Sequence, residues 1–211
     1  MGTQIKAPCV IIGAGEISDY GKAAGCLPPG AFVICADGGL THCEKLGLRP
    51  DLIVGDFDSF DGPLPKDAEI IRLSPCKNYT DSFHAAEEAL ARGYREIILT
   101  GMLGGRLDHT MANLALLAHL AQAGASALLT DSLCEARALA GPGELILPPR
   151  EGGYFSLISM GNCRGVTITG GKYPLADYDL AATDPRAISN EFTGKEVSIT
   201  QREGTLVVIS F

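Results

Sequence analysis

Residues 54–60 read VGDFDSF, which puts Asp56 and Asp58 one residue apart at the end of an apolar run. On an extended backbone successive side chains alternate faces, so the two carboxylates point the same way and Phe57 points the other. Like charges held together persist if one is protonated or if a cation sits between them. Asp37 and Asp81 follow other apolar runs, and with Asp56 and Asp58 they offer hard oxygen donors to Mg²⁺, an ion that favours carboxylates plus substrate phosphates. Glycines in Asp37-Gly38-Gly39 and Gly104-Gly105 let backbone N–H groups approach phosphate, and Arg106 brings a guanidinium suited to bidentate phosphate contact. Taken singly, each residue has an ordinary explanation. An Asp at a strand end caps a helix, Thr80 is a candidate N-cap, Arg106 can pair with Asp108, and a His in a first helical turn, such as His109, packs or caps. The concurrence of acids, glycines and a base after five successive runs is what points to a site.

The elements that must position these residues are legible in the pattern. The runs at 8–13, 31–37, 51–56, 68–73, 96–101 and 125–131 are continuously apolar, as in parallel strands buried on both faces. Helical spacing of apolar residues fills 39–47, 81–92 and 107–124, the last ending at Gly124. Alternation of this kind predicts an α/β layer fold, whose ligands bind beyond the carboxyl ends of the strands. From residue 141 a Pro/Gly-rich connector, GPGELILPPREGG, leads into short runs (YFSLIS, GVTITG, KEVSIT, TLVVISF) that predict an antiparallel sandwich or barrel. The expected organisation is an α/β; parallel-sheet Rossmann-like catalytic domain over 1–141, followed by a small all-β sandwich domain over 142–211.

Composition narrows the partners. With 25 acidic against 17 basic residues and a net charge of -8, the chain lacks the basic surface that nucleic acid or an anionic membrane would need. Its opening residues lack a signal h-region, and no segment approaches the roughly 20 apolar residues of a membrane span. Seven cysteines, odd in number and without a Cys-x-x-Cys pair, fit a reducing cytoplasm, most of them as small core residues. Two imitations fail. Gly13-Ala14-Gly15 follows a strand, with Asp37 further on, but Ser18 stands where a dinucleotide fingerprint needs its third Gly or Ala, and Gly194-Lys195 lacks the rest of a Walker A loop.

Ala36-Asp37-Gly38-Gly39, Gly55-Asp56-Phe57-Asp58-Ser59, Thr80-Asp81 and Gly104-Gly105-Arg106-Leu107-Asp108-His109, in this order, resemble the motifs of the thiamine pyrophosphokinase family. Further on, Gly170-Gly171-Lys172-Tyr173-Pro174-Leu175 and Ile188-Ser189-Asn190-Glu191-Phe192 are similar to its thiamine-binding segment, so the resemblance spans nearly the whole chain. It implies a homodimer with thiamine bound between subunits, and pyrophosphoryl transfer from ATP to the thiamine hydroxyethyl group, giving thiamine diphosphate and AMP. By motif, Asp56, Asp58 and Asp81 would hold Mg²⁺ and, with Arg106 and Asp108, carry catalysis. Asp37, Gly38, Lys77, Thr80, Gly104, Gly105 and Arg106 would meet ATP and its phosphates. Tyr173, Ser189 and Asn190 would contact thiamine, the Tyr173 ring offering a face to the cationic thiazolium. Asn78 departs from the family's pattern, which has Asp there, and removes one negative charge. Its amide can still coordinate through the carbonyl oxygen or position a water. The competing readings are a non-catalytic thiamine or nucleotide sensor, a transferase holding a metal-bound nucleotide sugar through Asp56 and Asp58, and a nicotinamide oxidoreductase.

Overall fold

The computed structural model describes residues 6–57, 64–74, 78–131 and 133–211. They form two compact units. One comprises the chain up to Leu116 with a segment beginning at Ala125, and the other comprises Leu117–Gly124 and Leu133–Phe211.

In the first unit every long apolar run becomes a parallel strand: β1 (Cys9–Ile12), β2 (Phe32–Ala36), β3 (Leu52–Gly55), β4 (Glu69–Arg72), β5 (Glu96–Thr100) and β6 (Ser126–Thr130). Their order is β6-β5-β1-β2-β3-β4. β1 and β3 are buried along their whole length, as continuous apolar runs require. β4 departs from that expectation: it pairs with β3 at the sheet edge, and Glu69, Ile70 and Arg72 are exposed. The chain steps from β1 outward to β4 and then returns, so that β5 lies on the other side of β1. The order reverses between β1 and β5, where the loop after β1 lies against the one after β5, the Gly15 N–H donating to the Gly101 carbonyl, and ligands of such sheets bind beyond the carboxyl ends of the strands.

Among the described residues there are four helices: α1 (Tyr20–Gly25), α2 (Gly39–Lys45), α3 (Asp81–Ala91) and α4 (Leu107–Gln122), the last of which ends in the second unit. Six-residue α1 is too short to show a periodic stripe, and its signal is the Asp19 cap, whose side chain accepts from the Lys22 N–H. α2 starts at Gly39 because nothing larger fits: a Cβ there would lie 2.0 Å from the Ile12 carbonyl oxygen. Val10, Ile12, Val33, Cys35, Leu40, Cys43 and Ile53 pack together between α2 and the strands. α3 buries Ala85, Ala86 and Ala89. Among the described residues, no helix is long and apolar enough to cross a membrane.

The second unit is antiparallel. β7 (Glu135–Ala140), β8 (Gly143–Leu147), β9 (Tyr154–Ser159), β10 (Cys163–Thr169), β11 (Leu175–Leu180), β12 (Asn190–Glu191), β13 (Val197–Gln201) and β14 (Thr205–Ser210) form two groups, ordered β12-β9-β14-β7 and β11-β10-β13-β8. Both contribute to one core that includes Leu147, Phe155, Val166, Ile199 and Leu206. The Pro/Gly-rich stretch after 141 holds a strand, β8, and Asp/Tyr-rich β11 carries too little apolar character to stand out in the sequence.

Candidate active site

The crevice predicted by the strand order is present. A cavity of about 630 Å³ is lined by Ala14, Gly15 and Glu16 after β1, Ala36 and Asp37 at the end of β2, Asn78–Ser82 at the start of α3, and Gly101–Met102, Gly104–Arg106, His109 and Asn113 from β5 and α4. Six of the residues expected to meet nucleotide or metal therefore converge: Asp37, Thr80, Asp81, Gly104, Gly105 and Arg106. Asp56 is half-buried just past β3 and does not line this cavity, and Gly38 and Asp108 also fall outside the lining. Asp58 and Lys77 lie outside the described residues.

Local backbone explains how the acids are presented. Asp37 has a left-handed backbone, φ 44°, and its N–H donates to the Val54 carbonyl, tying the end of β2 to the end of β3 beside Asp56. Phe57 is also left-handed, φ 61°, a strained setting for a bulky side chain. β3 ends at Gly55, so Asp56 and Phe57 lie past the strand, and Asp58, the other half of the expected pair, lies outside the described residues. The Phe57 ring packs against the α2-side core and under the Arg72 guanidinium. Thr80 is the N-cap of α3, its Oγ1 accepting from the Phe83 N–H at 3.2 Å, so Asp81 stands in the first turn, where the helix dipole favours an anion.

The glycine loop after β5 needs consecutive left-handed residues, Gly104 at φ 75° and Gly105 at φ 61°. α4 braces it: buried Asn113 donates from Nδ2 to the Met102 carbonyl at 2.8 Å, and Thr110 Oγ1 lies 3.4 Å from the Gly104 carbonyl. Arg106 grips Asp108 with a fork, Nε to Oδ1 at 3.1 Å and a terminal nitrogen to Oδ2 at 2.6 Å. That guanidinium holds the Asp108 carboxyl down to about 2, so it is a carboxylate at any working pH. Under the loop after β1, Tyr20 Oη and His42 Nδ1 share a 2.7 Å hydrogen bond. Burial lowers the His42 pKa, opposed by hydrogen bonding to the backbone of Gly15 and, less strongly, of Ala14.

A metal's place can be tested by donor chemistry. Among the described residues no three metal-ligating side chains form a cluster, and Asp58, the expected partner of Asp56, is not among them. Asp81, which lines the cavity, and Asp56, just past β3, are nevertheless hard oxygen donors, and Mg²⁺ needs only one or two carboxylates when substrate phosphates supply the rest.

The second unit has its own cavity, about 310 Å³, lined by Ile168, Tyr173–Leu175 and Arg186–Asn190. It brings together Tyr173, Ser189 and Asn190, from separate parts of the sequence. Asn190 is buried and works on the backbone: its Oδ1 accepts from the N–H groups of Tyr173 and Glu191, and its Nδ2 donates to the Tyr173 carbonyl. Ser189 is left-handed, φ 58°, with its N–H donating to Ser156 Oγ. Lys172 Nζ sits 5.3 Å from the Tyr173 ring centroid and pairs with Glu191 at 2.7 Å. Sequence reasoning missed Tyr79, Ser82, Met102 and Asn113 as cavity residues. Asn113 had a signal, one helical turn beyond His109 on α4.

Known proteins resemble the chain over most of its length. The family model described as "Thiamin pyrophosphokinase, catalytic domain" matches residues 28–129, and that described as "Thiamin pyrophosphokinase, vitamin B1 binding domain" matches 144–206. The thiamine pyrophosphokinase of Bacillus subtilis is 28% identical over 183 residues, 83% of this chain and 85% of that protein. The solved thiamin pyrophosphokinase of Geobacillus thermodenitrificans is similar at a TM-score of 0.81 and 26% identity, covering 96% of each chain. The Bacillus subtilis structure shares the fold at a TM-score of 0.82 and 24% identity, covering 96% of this chain and 97% of that one. With two matches to one family, in order and together spanning most of its length, the chain belongs to the thiamin pyrophosphokinase family.

Proposed function

We propose that the chain transfers the pyrophosphoryl group of ATP to the hydroxyethyl oxygen of thiamine. The oxygen forms a bond to the β-phosphorus, the bond between that phosphorus and the bridging oxygen of the leaving AMP breaks, and the hydroxyl proton passes to solvent water. The observation that carries this reading is the sorting of expected residues into two cavities, acids, glycines and arginine in one unit and Tyr173, Ser189 and Asn190 in the other. Residues 1–141 are read as the Rossmann-like catalytic domain and 142–211 as the thiamine-binding sandwich, although the compact units divide the chain differently, with 117–124 and 133–141 falling in the second.

Such a transfer needs alignment and charge neutralisation more than covalent help from the protein. Gly104 and Gly105 leave uncovered backbone for the phosphates, Asp37 and Thr80 line the same cavity, and Gly38 and Lys77 are expected by motif to meet the nucleotide as well. Arg106 lies exposed at the cavity, and exposed ion pairs are weak in water. A polyphosphate with several charges therefore competes with Asp108 for the guanidinium. Asp108 orients Arg106 and is too acidic to take the hydroxyl proton at neutral pH. Asp56, Asp58 and Asp81 are the residues to hold Mg²⁺, which when bound neutralises charge on the phosphate oxygens. In the thiamine cavity Asn190 fixes the Tyr173 backbone, and the face of Tyr173 away from Lys172 is left for the thiazolium.

Tyr173 and Ile188 are exposed on the thiamine cavity, 55% and 45%, and this supports completion of the pocket by a second copy in a homodimer. Free thiols at Cys9, Cys26, Cys35, Cys43 and Cys163 fit residence in the cytoplasm. The deciding experiment incubates the protein with thiamine, ATP and Mg²⁺ and follows AMP and thiamine diphosphate by chromatography. Equal amounts of both products, lost in Asp56→Ala, are expected. Saturable thiamine binding without AMP would instead identify a sensor, with Asn78, which lines the nucleotide cavity, as the place where turnover was lost.

A further inference from the structure

We propose that Tyr79 is the platform on which the nucleobase of ATP stacks, a role that rests on reading the larger cavity as the nucleotide site. Tyr79 occupies the position that the family's motif leaves variable between Asn78 and Thr80, so the resemblance assigns it nothing. In the structure it lines the cavity while remaining 57% exposed. Its ring is held from behind, stacked on Phe83 at 4.7 Å between centroids and 17° between planes, and met edge-on by His84 at 6.0 Å and 80°. Phe83 and His84 lie in the first turns of α3, whose start is fixed by the Thr80 cap. The ring is thereby immobilised through one face, and its exposure falls on the opposite face and rim. A preorganised aromatic face loses little entropy when a flat ligand covers it.

The ligand's identity follows from what shares the cavity. Tyr79 stands two residues from Asp81, at most about 7 Å along the backbone, and across from the Gly104–Arg106 loop. A triphosphate held by those groups has one flat, π-faced part within reach, its base. The rings of thiamine have their own candidate residues, Tyr173, Ser189 and Asn190, in the second unit's cavity. Stacking of this kind accepts any base, because every base has a π-face. Tyr79 therefore supplies affinity for nucleotides over bare polyphosphate, with little choice among bases.

The test is calorimetry on the whole protein with Mg²⁺, titrating ATP, GTP and inorganic triphosphate into wild type, Tyr79→Ala and Tyr79→Phe, together with KM for ATP and thiamine. Tyr79→Ala is expected to weaken ATP and GTP alike, by about 5- to 100-fold, and to leave inorganic triphosphate unchanged. Tyr79→Phe, which keeps the ring, should match wild type within about twofold. Equal ATP affinity in wild type and Tyr79→Ala overturns the proposal, as does a parallel loss of triphosphate binding, which would mean that the phosphate loop had been disturbed. A rise in the thiamine KM alone would reassign the ring to the acceptor and likewise overturn it. Failure of the wild type to release AMP would count against the proposed reaction, whereas the calorimetric comparison would still decide the role of Tyr79.

Discussion

Arg106 and Asp108 show how one side chain's chemistry is set by another. A carboxylate whose pKa is lowered on folding adds stability above its unfolded value, near 3.9, and loses it as pH falls toward about 2. Across pH 5–9 the pair stays charged on both sides. The pH profile of kcat should therefore carry no inflection from Asp108, and Asp108→Asn should leave that profile's shape unchanged while raising the KM for ATP. Arg106→Ala should lower kcat/KM by about 10²–10³-fold, the cost of losing a preorganised donor to developing charge, with thermal stability nearly unchanged because the side chain is exposed. Steady-state kinetics and a melting curve check both. At this scale the sequence named Asp37, Asp81 and Arg106 because acids and bases after apolar runs are rare enough to notice. It could not name Tyr79, since an exposed Tyr looks the same whether it backs a ligand or faces water.

At the scale of elements, glycine contacts decide which turns tolerate change. Gly39→Ala would press a Cβ to 2.0 Å from the Ile12 carbonyl, and should cost at least about 2–3 kcal/mol as α2 is forced off β1. Gly25→Ala, in α1 with nothing within 4 Å, should be neutral or stabilising by about 0.5–1 kcal/mol. Urea midpoints at constant slope distinguish the two. His42 links α2 to the loop after β1, and burial holds its pKa below the ordinary value. The unfolded chain then takes up the proton first, so stability falls as pH drops through the region below about 6.5. The melting temperature should decline more steeply between pH 7.5 and 5.5 in wild type than in His42→Gln.

For the molecule as a whole, the two sets of ligand residues lie in different units, so their ligand-linked stabilisation should separate. A ligand at 100 times its Kd adds about 2.7 kcal/mol to stability. Asp81→Ala should lose the thermal shift given by ATP with Mg²⁺ and keep that given by thiamine, and Tyr173→Ala should do the reverse. Differential scanning calorimetry of each variant with each ligand reads this directly.

By itself the sequence determined the six parallel strands and the three longer helices, because continuous apolar runs and helical spacing are local signals of burial. It also carried the family's motifs, hence the chemistry expected at the strand ends. Tertiary structure decided what depends on distant backbone. β4 is exposed because it is an edge, which only the strand order reveals. Phe57 takes a left-handed backbone just past the end of β3 at Gly55, a local departure from extended geometry that its ring's packing on the core accompanies and that no sequence pattern announced. Tyr173, Ser189 and Asn190 converge because buried Asn190 binds the Tyr173 backbone. Residue type sets what a group can do, and the three-dimensional fold sets which groups are near enough to do it together.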